Sequence, residues 1–492
     1  MKHKNFLKVR ELTACKSLFI MLVMGILAIA AAVPAMAQMT SDRVVLGSKA
    51  PEGVGLQSVS PYVAPPEVFV PDSSKEVPED VGVRMHTNYL IYNPSRIQPR
   101  ALRDLSQPEP EENPEPNIAM KIVHETPASL ACVYGMGRSY RGCAPMINKA
   151  YNATGGGRAI AIVIAYDNPT ALTDLQYFST YFRLPAPNFT KVLANGNGSC
   201  STPPYDAGWA LESALDTQWA HAMAPNAAII LVEACSSLTT DLMYAETVAS
   251  TYLLSNYGGG EVSNSWSGSE WSGQTAYDDN FPAYGYSYGN NVLNTVSYFF
   301  SAGDNGYGAQ YPSSSPWVIS AGGTTINRDP KTKAFVSESC WAGSGGGISA
   351  YETSTVGFPS GTGWWAAYQY PIFGQASRMT PDMSFNADPA SGVYVTYSGT
   401  WYIVGGTSLS APALAGIVNN SNNQLGMATL FSVSGSGYFT NAENNLLYSQ
   451  LLNHKEYVTN FYDVTTGSNG APALPLWDYC TGVGSPRGKL GK

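Results

Sequence analysis

Three short stretches carry residue types able to do acyl-transfer chemistry. In Gly405-Gly406-Thr407-Ser408-Leu409-Ser410-Ala411-Pro412, a strand-like run (393–404) leads into a helical pattern (409–420). Ser408 therefore falls at a helix N-terminus, where free N–H groups and the helix dipole favour negative charge. A serine nucleophile there has an oxyanion donor in its own amide, although the same position also suits an ordinary N-cap. Glu212 and Asp216 stand four residues apart in an apolar helical stretch with no basic neighbour, so both carboxyls project from one helical face. Such a pair can share a proton, which raises one pKa and makes a carboxyl usable as an acid or base at low pH. Asp304 ends a strand-like run in Ser301-Ala302-Gly303-Asp304-Asn305-Gly306. That is where sites form in parallel α/β sheets, and it is also a common turn sequence. His221 lies more than a turn beyond the acid pair, which is a poor place for a triad base.

These residues need a rigid frame. Short apolar runs at 159–165, 227–233, 261–265, 296–301 and 317–321 read as buried parallel strands. Helical stretches at 209–223 and 238–253 lie between some of them. The alternation predicts an α/β fold, a doubly wound parallel sheet with flanking helices. A strand or two is expected within 81–92. The glycine-rich tract 342–349 lacks the Lys-Ser/Thr of a phosphate loop and reads as a turn or an extended substrate-binding edge.

The 492 residues carry a formal net charge of −9 and are 44% apolar, which excludes a disordered chain and disfavours nucleic acid as a partner. Residues 1–37 have a basic start, an apolar run and a small-residue end at Ala35-Met36-Ala37, the layout of a secretory signal peptide. Its removal leaves 22 bases against 35 acids, a charge of −13. Residues 38–125 are rich in proline and acids, notably at 107–116, and read as a short propeptide or N-terminal extension with a linker. Residues 126–492 form the remaining domain. Export permits disulfides. The six cysteines left allow 15 pairings; the nearest neighbours, Cys132 with Cys143 and Cys200 with Cys235, would leave Cys340 with Cys480.

Together, from about residue 126 to 488, these segments resemble the sedolisin family of serine-carboxyl peptidases, which have a subtilisin-like fold. Glu212 and Asp216 match its E-x-x-x-D helix. Val262-Ser263-Asn264-Ser265-Trp266 matches V-S-x-S-W, Ser301 to Asp304 matches S-x-G-D, and Ser408 fits G-T-S-x-x-x-P. The resemblance implies Ser408 as nucleophile, Glu212 as its base, Asp216 as the group that holds Glu212, and a protonated Asp304 as oxyanion donor. The expectation is a secreted or periplasmic endopeptidase, a monomer acting on protein or peptide substrates at acidic pH, without nucleic acid or membrane partners once the signal is gone. A Ca2+ site is implied at Asp463 and Asp478, with carbonyls of Val464, Leu474 and Leu476. Relatives often place an acid where Ile164 stands; its loss leaves Asp216 less fixed unless Asp167 or solvent compensates. A catalytically impaired binding or scaffold protein on the same fold is the alternative that Ile164 and the short proregion favour.

Overall fold

A computed structural model describes residues 62–92, 124–281, 296–353, 377–421 and 442–491. The signal-like segment 1–37 and the acidic run 107–116 lie outside them. The first described stretch contributes β1 (Val68–Phe69), β2 (His86–Thr87) and β3 (Leu90–Tyr92). Thr126 caps α1 (Pro127–Val133), its hydroxyl accepting from the Ser129 N–H.

The core is a parallel sheet. Its strands are β4 (Ala159–Ala165), β5 (Asn188–Ala194), β6 (Ala228–Ala234), β7 (Gly260–Asn264), β9 (Val296–Ser301) and β11 (Ile319–Arg328), with the short β8 (Trp266–Ser269) and β10 (Gln310–Tyr311) outside it. The order is β5-β6-β4-β7-β9-β11, all parallel. β12 (Phe335–Cys340) extends it antiparallel to β11, and β15 (Met383–Asn386) pairs parallel to β11. β13 (Ile348–Thr353) and β14 (Ser377–Met379) pair separately. Chain order reverses at β4, so a crevice opens at the carboxyl ends of β4 and β7, where ligands of open α/β sheets bind. β4 and β6 are buried throughout, which is why each reads as an unbroken apolar run.

The run 393–404 is not one strand but a hairpin, β16 (Val393–Tyr397) and β17 (Thr400–Gly405). Ser398 and Gly399 both have positive φ, +45° and +73°, the backbone that a two-residue hairpin turn demands. β17 pairs on its other side with β3, which pairs with β1, so the N-terminal segment is built into this sheet.

Helices α2 (Ala171–Phe182), α3 (Ala207–Met223), α4 (Thr239–Tyr257) and α5 (Thr407–Ser421) flank the central sheet; α6 (Ala442–Leu451) and α7 (His454–Asn460) follow. Asp206 caps α3 by accepting from the Trp209 N–H at 3.0 Å. α3 is buried on nearly every side. Its polar groups are paired accordingly. Gln218 exchanges two hydrogen bonds with the Thr396 backbone, and Trp219 donates to the Tyr394 carbonyl. Gly416 of α5 lets the two helices approach closely: a Cβ there would lie 2.7 Å from Met223 Cβ. This contact fixes the helix bearing the acid pair against the helix bearing Ser408.

Disulfides join Cys132 to Cys143, Cys200 to Cys235 and Cys340 to Cys480, the nearest-neighbour pairing among the fifteen.

Candidate active site

Ser408 lies in the first turn of α5, fully buried. Its hydroxyl donates to Glu212 Oε2 at 2.9 Å, with the Ser265 carbonyl 3.2 Å away. Glu212 and Asp216 are both fully buried on α3. Glu212 Oε1 and Asp216 Oδ2 are buried without a hydrogen-bond partner. Two buried carboxyls on one helix face are placed to share a proton. Burial pushes both carboxyls well above their ordinary range, and the charge of Asp216 pushes Glu212 further.

Asp216 Oδ1 is fixed by the Ser265 hydroxyl at 2.8 Å. Ser265 immediately follows β7, and its hydroxyl also lies 3.0 Å from the Ser408 carbonyl. It therefore locks the acid pair and the nucleophile to the sheet end. Ile164 is sealed in β4, and Asp167 does not substitute for an acid there. Its carboxylate pairs instead with Lys191 at 2.6 Å, alongside Glu233. Trp266 donates to the Val163 carbonyl, tying β8 to β4. His221 points away from Ser408: its Nε2 meets the Pro185 carbonyl at 3.0 Å, and burial lowers its pKa to about 4.

Asp304 sits beyond β9, on the other side of Ser408. Its Oδ1 accepts from the Thr407 N–H and hydroxyl, both at 2.8 Å, so it caps the start of α5. Its Oδ2 is buried without a partner. Burial raises the pKa to about 8, opposed by the two Thr407 bonds. At neutral or acid pH the carboxyl therefore holds a proton, and Oδ2 is the oxygen free to carry and donate it. Gly406, at φ +111°, gives the chain room here: a Cβ would stand 2.5 Å from Asp304 Oδ2 and 2.2 Å from the Asn88 carbonyl oxygen. The glycine-rich tract supports the same loop through the Gly345 N–H, which donates to the Gly303 carbonyl, and the Gly306 N–H, which donates to Gly343.

Ser408, Glu212, Asp216 and Asp304, singled out in the sequence, thus converge. What sequence reasoning missed is the occupant of the cleft, the protein's own residues 83–89. β2 runs antiparallel to β8, with His86 opposite Ser267 and Thr87 opposite Trp266. On the other side, the Met85 N–H donates to the Ser237 carbonyl and the Thr239 N–H to that of Val83. The segment is therefore the middle strand between two protein edges. Asn88 completes the pattern. Its N–H reaches the Ser265 carbonyl at 3.3 Å and Ser408 Oγ at 3.1 Å, and its carbonyl accepts the Ser408 N–H at 2.9 Å. A peptide carbonyl is thus held on the Ser408 amide, and it and Asp304 Oδ2 both crowd the same Gly406 position. Beyond it, Tyr89 is buried and donates to the Gly208 carbonyl.

A subtilisin-like α/β fold that brings one serine to three carboxyls defines the class. The Pseudomonas sedolisin (serine-carboxyl proteinase) structure complexed with two molecules of pseudo-iodotyrostatin matches this fold with a TM-score of 0.55 and 22% identity, covering 75% of this chain and 96% of that one. Kumamolisin from Bacillus sp. (strain MN-32) is 29% identical over 357 residues, 68% of this chain and 59% of kumamolisin. Sedolisin from Pseudomonas sp. (strain 101) is 30% identical over 195 residues, 36% of this chain and 29% of that protein. No protein-family model matches the chain. In sequence and in fold the chain is thus similar to peptidases of the sedolisin family. It spans less than two thirds of the length of these two curated relatives.

Proposed function

We propose that the chain is an exported serine-carboxyl endopeptidase that hydrolyses proteins or peptides at acidic pH. The observation that carries this reading is the set of contacts at Ser408, with Glu212 on its hydroxyl and a peptide carbonyl on its amide.

In this mechanism Ser408 Oγ bonds to the scissile carbonyl carbon while its proton passes to Glu212 Oε2. As Glu212 gains that proton, the one it shares with Asp216 moves toward Asp216, so the pair never carries two full charges. The oxyanion is held by the Ser408 N–H and by the proton on Asp304 Oδ2. Glu212 then returns the proton to the leaving nitrogen, the C–N bond breaks, and an ester on Ser408 remains. Water, activated by Glu212 in the same way, releases the acid product. Carboxyls suit this work at low pH, where an imidazole would be protonated. One chain carries all four groups, so a monomer suffices.

Export is supported by the signal-like residues 1–37 and by three disulfides. No helix among the described residues is long and apolar enough to cross a membrane. Residues 38–125 act as a short propeptide: the strand through 83–88 fills the cleft that a substrate would need.

A Ca2+ ion fits the loop before the C-terminus. Asp463 Oδ1 accepts from the Leu476 N–H, and Asp478 Oδ2 from the Leu474 N–H, so both carboxyls converge on residues 474–476. Burial raises both pKa values, that of Asp478 to about 6. Among the described residues no three His, Cys, Asp or Glu side chains cluster as a metal site. This set instead combines two carboxyls with the carbonyls of Val464, Leu474 and Leu476, the oxygen donors calcium takes. The ion would neutralise the buried carboxylate of Asp478 and the exposed one of Asp463, and hold the loop. Calcium titration by calorimetry is expected to show one site in the wild type and none in Asp478→Ala. Equal heats from both proteins would remove the site.

Digestion of a denatured protein by the full chain tests the main reading. A maximum on the acid side of neutrality is expected; no digestion at any pH from about 3 to about 8, the range over which carboxyls here titrate, would sink it.

A further inference from the structure

The side chain of Asn88 is the part of the cleft occupant that the reaction itself does not require. It is 6% exposed, although it is polar and belongs to a short segment lying on a surface cleft. Its Nδ2 donates to Ser267 Oγ at 2.7 Å and to Ser301 Oγ at 2.6 Å. Ser267 is inside β8 and Ser301 ends β9, so both hydroxyls stand on strands rather than on loops. The single proton of Ser267 is committed to Gln310 Oε1 at 2.5 Å. Ser267 Oγ can therefore only accept from whatever enters the pocket.

From this we propose that the enzyme cleaves selectively after asparagine, and that Ser267, set by Gln310, together with Ser301, reads the carboxamide N–H2 of that residue. The proposal rests on the endopeptidase reading above and names its substrate class.

The selection follows from hydrogen-bond inventory. Asparagine supplies two N–H donors from one nitrogen, matching two hydroxyl oxygens. An aspartate carboxylate supplies none and would set its lone pairs against those of Ser267 in a water-poor pocket. Leucine has nearly the same shape but leaves both hydroxyls without their donor. Glutamine carries its amide one methylene deeper, beyond the position the two strand hydroxyls define. The residues around Asn88 fit the same picture. Thr87 is buried beneath the Ser73 and Ser74 hydroxyls at 2.9 and 2.8 Å, and Met85 is buried against Gly268. The bond the segment presents to Ser408 is therefore Asn88–Tyr89.

The test uses the full chain after acid treatment has exposed the cleft. Its substrates are a denatured protein whose cleaved bonds are mapped by mass spectrometry, and peptides that copy residues 85–90 with Asn, Asp, Gln or Leu at the fourth position. Cleavage after asparagine should dominate the map. kcat/KM for the Asn peptide should exceed that for Leu by about 100-fold or more, since a pocket built to pair a polar group rejects an analogue lacking it. The Asn-over-Asp ratio should widen as pH rises through about 4, where the Asp side chain loses the proton that let it donate. Ser267→Ala should narrow the Asn-over-Leu ratio by about tenfold, the effect of one hydrogen bond. That ratio is internal, so partial loss of folded protein leaves it unchanged. Cleavage with no preference for asparagine overturns this specificity and leaves the endopeptidase reading standing. Failure to cleave either the peptides or the denatured protein overturns both.

Discussion

Replacing Glu212 with glutamine is expected to lower kcat by about 10³–10⁴-fold, the upper part of the range for losing a positioned general base. Glutamine has the shape of glutamate, and its amide can still bond to Asp216 and lie against Ser408, so α3 and its buried surroundings are kept. What it cannot do is take the proton from Ser408 Oγ, 2.9 Å from Glu212 Oε2. The loss should therefore fall on kcat, with KM nearly unchanged, because the substrate strand is held by β8, Ser237 and Thr239 rather than by Glu212. Residues that act as one unit are not additive, so Glu212→Gln made in a Ser408→Ala background should cost little more. A large rise in KM with kcat preserved would show that Glu212 binds substrate instead of moving a proton.

Asp304 should have the next largest effect. Asp304→Ala removes one oxyanion donor and is expected to lower kcat by about 10²–10³-fold. Asp304→Asn separates geometry from charge. Its Oδ1 can accept both Thr407 bonds as the carboxyl does, and its Nδ2 donates where the protonated Oδ2 would. The sign of the pH effect follows. Asp304 holds its proton below its raised pKa, about 8 with the cleft filled, and loses it above. Ionisation turns a donor into a charge that repels the oxyanion, so wild-type kcat falls with rising pH on this limb. The amide does not ionise, so the Asn variant should lack that limb while working more slowly at acid pH. Identical alkaline limbs in the two proteins would assign the titration elsewhere.

Much of this site was legible because its spacing is local. The four-residue spacing of Glu212 and Asp216 fixes one helical face whatever the tertiary fold, and the strand-to-helix change around Ser408 dictates a helix start. β4 and β9 were readable as whole strands because both are buried throughout. β5 was not readable, since only its last residue is buried and its sequence lacks an apolar run. The hairpin of β16 and β17 was read as one strand because its turn is only Ser398-Gly399, two residues inside a continuous β-rich pattern.

The contacts that complete the site were hidden for another reason. Asn88 and Ser408 are 320 positions apart, and no local pattern connects them. Residues 81–92 suggested a strand or two, and the structure supplies β2 and β3. Their placement in the cleft, however, depends on β3 joining β17 and β2 joining β8. Ser265 stood in a recognised motif, yet its link to Asp216 depends on the sheet end meeting α3. The acid absent at position 164 follows the same logic, because Ser265 fixes Asp216 from the opposite strand.

The central claim is that Ser408, with carboxyls and no histidine, cleaves peptide bonds. Digestion of one denatured protein by purified wild type, Ser408→Ala and His221→Ala, measured side by side from pH about 3 to about 8, tests it most directly. An acid-side maximum is expected for the wild type, the same profile for His221→Ala, and no digestion above background for Ser408→Ala. Wild-type digestion by Ser408→Ala, or its loss in a folded His221→Ala, would contradict it.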